Sequence, residues 1–149
     1  MEEEPRTLLI RRVDRSGDPW SGQVAFPGGK REQSDASFRA TAEREAMEEV
    51  GISLAEGGRF EGYGGMLRTH TGEMDVVPAV FSLTGAVPVV TNREVASYRW
   101  VEWKTLSSPE AAARYRMESG GRPVDLPAIS IGDYVVWGLT HRIISSLLG

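Results

Sequence analysis

Between Phe26 and Ile52 the chain reads FPGGKREQSDASFRATAEREAMEEVGI, a stretch that allows few local structures. Pro27-Gly28-Gly29 ends a strand, and glycines there let backbone approach a metal or phosphate closely, with the Gly29 carbonyl a candidate ligand. Beyond it Glu45, Glu48 and Glu49 stand at i, i+3 and i+4, which on an α-helix sets three carboxylates on one face within about 100°. Like charges so spaced destabilise a helix by a few tenths of a kcal/mol per pair. A hard cation between them turns repulsion into coordination, since Mg²⁺ and Ca²⁺ take oxygen ligands. The plainer reading of such a run is a solvated acidic face. The helix is predicted from about Ala36 to Val50, with Asp35 as N-cap, Ser34 or Ser37 as competitors, and Gly51 as a left-handed C-cap. Phe38, Ala42, Ala46 and Val50 recur at fours and are expected to face the core, leaving the glutamates on the opposite side. Arg44, four residues before Glu48, is expected to hold that carboxylate by an ion pair.

The order of these residues carries more than their spacing. Arg44-Glu45-Ala46-Met47-Glu48-Glu49-Val50-Gly51-Ile52 resembles the second half of the Nudix hydrolase signature, G-x5-E-x7-R-E-U-x-E-E-x-G-U, where U is bulky and apolar. Every fixed position is met, with small Ala46 at the first U. The first half departs: Gly29 and Asp35 keep the x5 spacing, but Asp replaces Glu, and eight residues rather than seven separate Asp35 from Arg44. The resemblance implies an α/β fold, a Nudix-like α/β/α sandwich with a mixed, partly parallel sheet. It implies hydrolysis of a nucleoside diphosphate linked to another moiety, with Mg²⁺ or Mn²⁺ as cofactor. Glu45, Glu48 and Glu49 are then metal ligands, and one of Glu48, Glu49 or Glu94 orients or deprotonates the attacking water. Arg44 is structural in that scheme.

The segments GQVAFPGGKR, REAMEEVGI, EVASYRWV and WGLTHRIISSLL, with Pro78 in VVPAVF, are similar to the coenzyme A diphosphatase branch of that family. That similarity implies coenzyme A as substrate and 3′,5′-ADP and 4′-phosphopantetheine as products. The upstream loop departs from the branch, because its second arginine is missing and Gly22 comes one residue late. ADP-ribose, NADH, dinucleoside polyphosphates and oxidised nucleotides are the alternative substrates. A nucleotide-binding module without catalysis is the reading of another class, although such modules usually lose acids that this chain keeps.

Substrate contacts are sought among Lys30 and Arg31, directly after the glycine turn, and Trp20, in the preceding loop. An exposed basic pair and a hydrophobic plug are the ordinary readings of those residues. His70, in a loop, is expected to be idle. The absence of cysteine excludes disulfides, catalytic thiols and thiolate zinc sites. A net charge of −4 argues against a surface that tracks nucleic-acid phosphates. The start, MEEEPRT, lacks the apolar core of a secretory signal, and no apolar run approaches the roughly 20 residues that span a bilayer. A cytoplasmic protein with a small-molecule nucleotide partner is expected, with neither membrane nor nucleic acid, and a homodimer is left open.

At 149 residues a single domain over 1–149 is expected. Strands are predicted at Thr7–Ile10, Gln23–Phe26, Arg59–Leu67, Asp75–Leu83 and Val95–Trp103, the run from Val76 to Leu83 being apolar enough for a buried strand, and Val124–Ile131 reads as a further strand pair or an extended arm. Ser107-Ser108-Pro109 reads as the start of a helix over Glu110–Met117. Asp133 reads as the cap of a last helix, Tyr134–Leu148, striped by Val136, Leu139, Ile143 and Leu147.

Overall fold

A computed structural model describes residues 4–16, 22–69, 72–85 and 87–149. Trp20 and His70 lie outside them. The chain divides into two compact units, Pro27–Ser97 and the remainder, Met1–Phe26 with Tyr98–Gly149.

The unit formed by Pro27–Ser97 carries helix α1 (Phe38–Val50), a single helical turn α2 (Leu54–Gly57) and short strands β3 (Gly58–Tyr63), β4 (Leu67–Arg68), β5 (Asp75–Val76) and β6 (Ala79–Leu83). β3 pairs antiparallel with β6 through a bulge between Phe60 and Gly62, and β4 pairs with β5. Phe60 is half-buried between two other rings, Phe81 and Tyr63, at 5.2 and 5.1 Å. The Arg39 guanidinium lies over it at 4.7 Å. The strand expected to be buried, β6, is only half-buried along its length. Among the described residues it pairs with β3 alone, so its other edge carries no strand.

Helix α1 starts two residues later than predicted. Ser37, not Asp35, is the N-cap: its side chain accepts the Ala40 N–H at 3.0 Å. At the other end Gly51 adopts φ 69° and donates back to the Met47 carbonyl at 3.1 Å, the left-handed stop expected. The carbonyls of Glu49 and Val50 accept the N–H groups of Asn92 and Val90, at 3.2 and 2.9 Å, so the acidic end of α1 holds the segment that leads to Glu94. Ala46 and Val50 are buried as expected, whereas Phe38 and Ala42 are half-buried.

In the other unit β1 (Arg6–Arg12) lies between β2 (Val24–Ala25) and β7 (Val95–Glu102), which enters from the first unit. A second sheet runs β10 (Tyr134–Trp137), β9 (Arg122–Ile131), β8 (Ala112–Ser119), all antiparallel. Helix α3 (Trp103–Leu106), a 3₁₀ turn (Pro109–Ala111) and the last helix α4 (Gly138–Leu148) complete it. Leu9, Val24, Val101, Leu106, Ala111, Ile129, Tyr134, Val136 and Ile144 form its core. Tyr134, 2% exposed, has the guanidinium carbons of Arg11 and Arg99 at 4.6 and 4.7 Å from its ring centroid, and both arginines donate to Asp133.

Two sequence expectations fail here, each for a visible reason. The helix read from Ser108-Pro109 is one turn long, because AARYRMES alternates polar and apolar residues and pairs along its length with β9 as β8. Gly120-Gly121, at φ 61° and 78°, is the two-residue turn that closes this hairpin. Likewise Gly132-Asp133 is a turn between β9 and β10, so the last helix begins at Gly138, not Tyr134. Val136 therefore faces the core from a strand, and Asp133 is an arginine acceptor in place of a cap.

The hairpin turn is testable. Gly120→Val should destabilise the chain by about 1–2 kcal/mol, because a branched side chain is strained at positive φ. Gly120→Asn should lose far less. The measurement is the urea midpoint at unchanged slope. Equal midpoints for the two variants would count against a left-handed residue here.

Candidate active site

The glycine turn and α1 are brought together by hydrogen bonds that start from backbone. The Gly28 N–H donates to Glu49 Oε1 at 2.8 Å. Glu49 is thereby drawn inward and is 1% exposed, which corrects the expectation that all three glutamates lie opposite the core. A buried carboxylate needs such partners, and the turn supplies one. The neighbouring residue is just as constrained: a Cβ on Gly29 would lie 2.5 Å from Glu45 Oε1. Any larger residue at this position would displace the Glu45 carboxylate from where it stands.

Arg44 ties the loop to the helix. Its Nε and Nη2 donate to the two oxygens of Asp35 at 3.1 and 3.0 Å, and Nη2 also reaches the Lys30 carbonyl at 3.2 Å. Nη1 donates to Glu45 Oε1 at 3.0 Å and reaches the Glu48 oxygens only at 3.4–3.5 Å. The main partner of Arg44 is therefore Asp35, not the Glu48 that helical spacing pointed to, and Glu32 lies further off at 3.8 Å. Asp35 is 8% exposed and also accepts the Glu32 N–H and the Thr41 hydroxyl, each at 2.9 Å. The Arg44 hydrogen bonds hold its carboxyl well below the usual range, with help from Glu32 and Thr41. Asp35 and Thr41 are the residues whose part in this site the sequence reading missed. Asp35 stands at the place of the signature's first Glu, and its shorter side chain and displaced spacing hid the role.

Glu45 shows the opposite electrostatics. Burial raises its pKa first, the charge of Glu49 raises it further, and Arg44 opposes both. Glu48 is exposed on the same helix, and Glu94 is exposed in the turn before β7, its N–H donating to the Asn92 side chain at 2.9 Å. Lys30 is exposed, with its carbonyl engaged by Arg44. Arg31 bends back: its guanidinium donates to the carbonyls of Asp35 and Ala36 and lies 5.0 Å from the Phe38 ring centroid. Those contacts give it a structural occupation.

Among the described residues no three acidic or histidine side chains already converge as a metal-holding group. Glu45 and Glu48 share Arg44, and Glu49 is turned to Gly28. The donor set nevertheless fits a hard divalent cation. It offers carboxylate oxygens without sulfur, one of them destabilised by burial and a like charge, beside backbone with no room for a Cβ.

The sequence profile of the NUDIX domain matches residues 1–119. The chain belongs to the Nudix family. An uncharacterized protein of Schizosaccharomyces pombe is 34% identical over 123 residues, which cover 77% of this chain and 37% of that protein. The Nudix hydrolase NudL of Yersinia pestis, itself uncharacterized, is 55% identical over 49 residues, 33% of this chain and 24% of its own. The chain thus spans well under half the length of either relative. The MutT protein of Methanosarcina mazei Go1 superposes with a TM-score of 0.52 at 28% identity, covering 66% of this chain and 68% of its own. The fold is the Nudix fold with mixed helix and sheet, as the resemblance implied. Among the described residues no helix is long and apolar enough to cross a membrane.

The Asp35 carboxylate makes a pH prediction with a definite sign. A pKa held below its ordinary value of 3.8 contributes stability that is complete above that value and lost as pH falls through the folded pKa. Asp35→Asn should therefore unfold at lower urea than the parent at pH 7, with the gap closing as pH drops below about 3.8. A gap unchanged between pH 7 and pH 2.5 would contradict the assignment.

Proposed function

We propose that this chain is a hydrolase that cleaves the diphosphate linkage of a nucleoside diphosphate derivative with the aid of Mg²⁺ or Mn²⁺. The observation that carries the proposal is Glu45, a carboxylate pressed against glycine backbone and raised in pKa by burial and by Glu49. Glu45, Glu48 and Glu49 would hold the cation, with the Gly29 carbonyl as a further donor. When bound there, such an ion would supply polarisation of phosphoryl oxygens and a lowered pKa for a water.

The chain's own residues supply the rest. Arg44 fixes the loop against α1 through Asp35, so that the glycine turn and the acids keep one geometry. Glu49, latched to the Gly28 N–H, holds that turn in place. Directing the water and taking its proton then falls to Glu48 or Glu94, both exposed and able to reach a solvent molecule. Lys30 is placed by sequence beside the turn to meet substrate phosphate. Arg31, engaged with Asp35, Ala36 and Phe38, is the weaker candidate.

For substrate we propose coenzyme A, cleaved to 3′,5′-ADP and 4′-phosphopantetheine. The similarity of GQVAFPGGKR, REAMEEVGI and WGLTHRIISSLL to that branch supports it. The altered loop before Gly22, which includes Trp20, is where specificity would have shifted, toward ADP-ribose, NADH, dinucleoside polyphosphates or oxidised nucleotides.

A turnover panel over those substrates with Mg²⁺ and Mn²⁺, products identified by mass, tests the reading. Metal-dependent release of the two coenzyme A fragments is expected, and Glu48→Gln should lower it by about 100-fold or more, the scale of a lost proton acceptor. Cleavage of another diphosphate alone would keep the reaction and replace the substrate. Nucleotide binding with no turnover of any compound would make the chain a binding module.

A further inference from the structure

The outer edge of β8 has a backbone pattern that the rest of its sheet lacks. Ser119 and Arg122 flank the two-residue turn of the β8–β9 hairpin. In such a hairpin the flanking pair exchanges both backbone hydrogen bonds, and bonded and non-bonded pairs alternate from there. Ser119, Met117, Tyr115 and Ala113 therefore direct N–H and C=O toward β9, while Glu118, Arg116, Arg114 and Ala112 direct theirs away from it. On β9 the same alternation sends Pro123, Asp125 and Pro127 to the far edge, which β10 covers only from Ala128 to Ile131. Two prolines without N–H close that uncovered stretch to another strand. β8 contains no proline, and among the described residues it pairs with β9 alone.

Side chains on β8 name the partner. Arg114, Arg116 and Glu118 are exposed and carry no ion pair among the described residues. On the other face Tyr115 and Met117, opposite Leu126 and Val124, are only half-buried. A strand that pairs antiparallel with its own copy must set outward-directed residues against outward-directed residues. With Met117 on the two-fold axis, Glu118 falls opposite Arg116 of the second copy, twice by symmetry, Met117 meets Met117, and Tyr115 meets Ser119. A shift that sets Arg114 opposite Arg116 would oppose like charges. The edge is thus self-complementary in charge and in apolar surface, as a two-fold interface requires.

We propose that the outer edge of β8 is a homodimerisation surface, pairing antiparallel with β8 of a second copy, Glu118 opposite Arg116. Backbone bonds from Arg116 and Glu118 supply the pairing, and the Arg–Glu contacts fix its register. This rests on neither the metal site nor the substrate.

Sedimentation of the full 149-residue chain over a wide concentration range tests it. A reversible shift from the 16.3 kDa monomer to twice that mass is expected. Arg116→Pro removes an outward N–H while leaving the bonds to β9 intact, and should abolish the dimer with circular dichroism unchanged. Glu118→Arg keeps the backbone and should raise the dissociation constant by about tenfold, because two attractive pairs become repulsive. The charge swap Arg116→Glu with Glu118→Arg should restore it. A chain monomeric at every concentration overturns the proposal, as does a dimer that neither single variant weakens. A swap that fails to restore association rejects the register.

Discussion

One guanidinium joins the parts of the acidic site. Arg44 donates to both oxygens of Asp35, to Glu45 and to the Lys30 carbonyl, and so fastens the loop after the glycine turn to the helix that carries the acids. Bidentate arginine–carboxylate pairing is geometrically exacting as well as strong, and this one is largely shielded from solvent on the Asp35 side. A second bond, from the Gly28 N–H to Glu49, fixes the turn from the opposite direction. Between these two latches Gly29 lies so close to Glu45 that a Cβ there would push the carboxylate aside. The repulsion among Glu45, Glu48 and Glu49 that a bare helix would relieve by fraying is held in place by this frame.

The frame also explains a division of labour among three acids that look equivalent in sequence. Glu49 is buried with Oε1 bonded to the Gly28 N–H; Glu45 is half-buried, its charged form disfavoured by burial and by Glu49; Glu48 is exposed and loosely held. Helical spacing gives all three one face, yet the backbone that packs on that face decides which oxygens meet solvent. The carbonyls of Glu49 and Val50, which bind Asn92 and Val90, bring a second segment to the same helix end, and Glu94 follows it.

Legibility from sequence varied with how local the cause was. The left-handed Gly51 and the extent of α1 to Val50 follow from short-range rules, and each is present. The inward turn of Glu49 depends on a glycine 21 residues away, and no periodicity reports it. Asp35 looked like a helix cap because Asp before a helix usually is one. The longer-range demand of Arg44 took it instead, and Ser37 was left to cap. The two C-terminal departures share a cause: Ser108-Pro109 and Asp133 read as helix starts, whereas alternation in AARYRMES and the paired positive-φ Gly120-Gly121 are the stronger, hairpin signals. The apolar run in β6 overstated burial because hydrophobicity alone does not say how many layers cover a strand.

The central claim is that the acids framed by Arg44 and Gly28 bind a divalent cation, and direct binding without substrate tests it before any substrate is known. Mn²⁺ added to the chain would be followed by loss of its free electron paramagnetic resonance signal, for the parent and for Glu45→Gln. Saturable binding by the parent, weakened at least tenfold in a variant that remains folded by circular dichroism, is the result the account predicts. Equal binding by both proteins, or none by the parent, would contradict it.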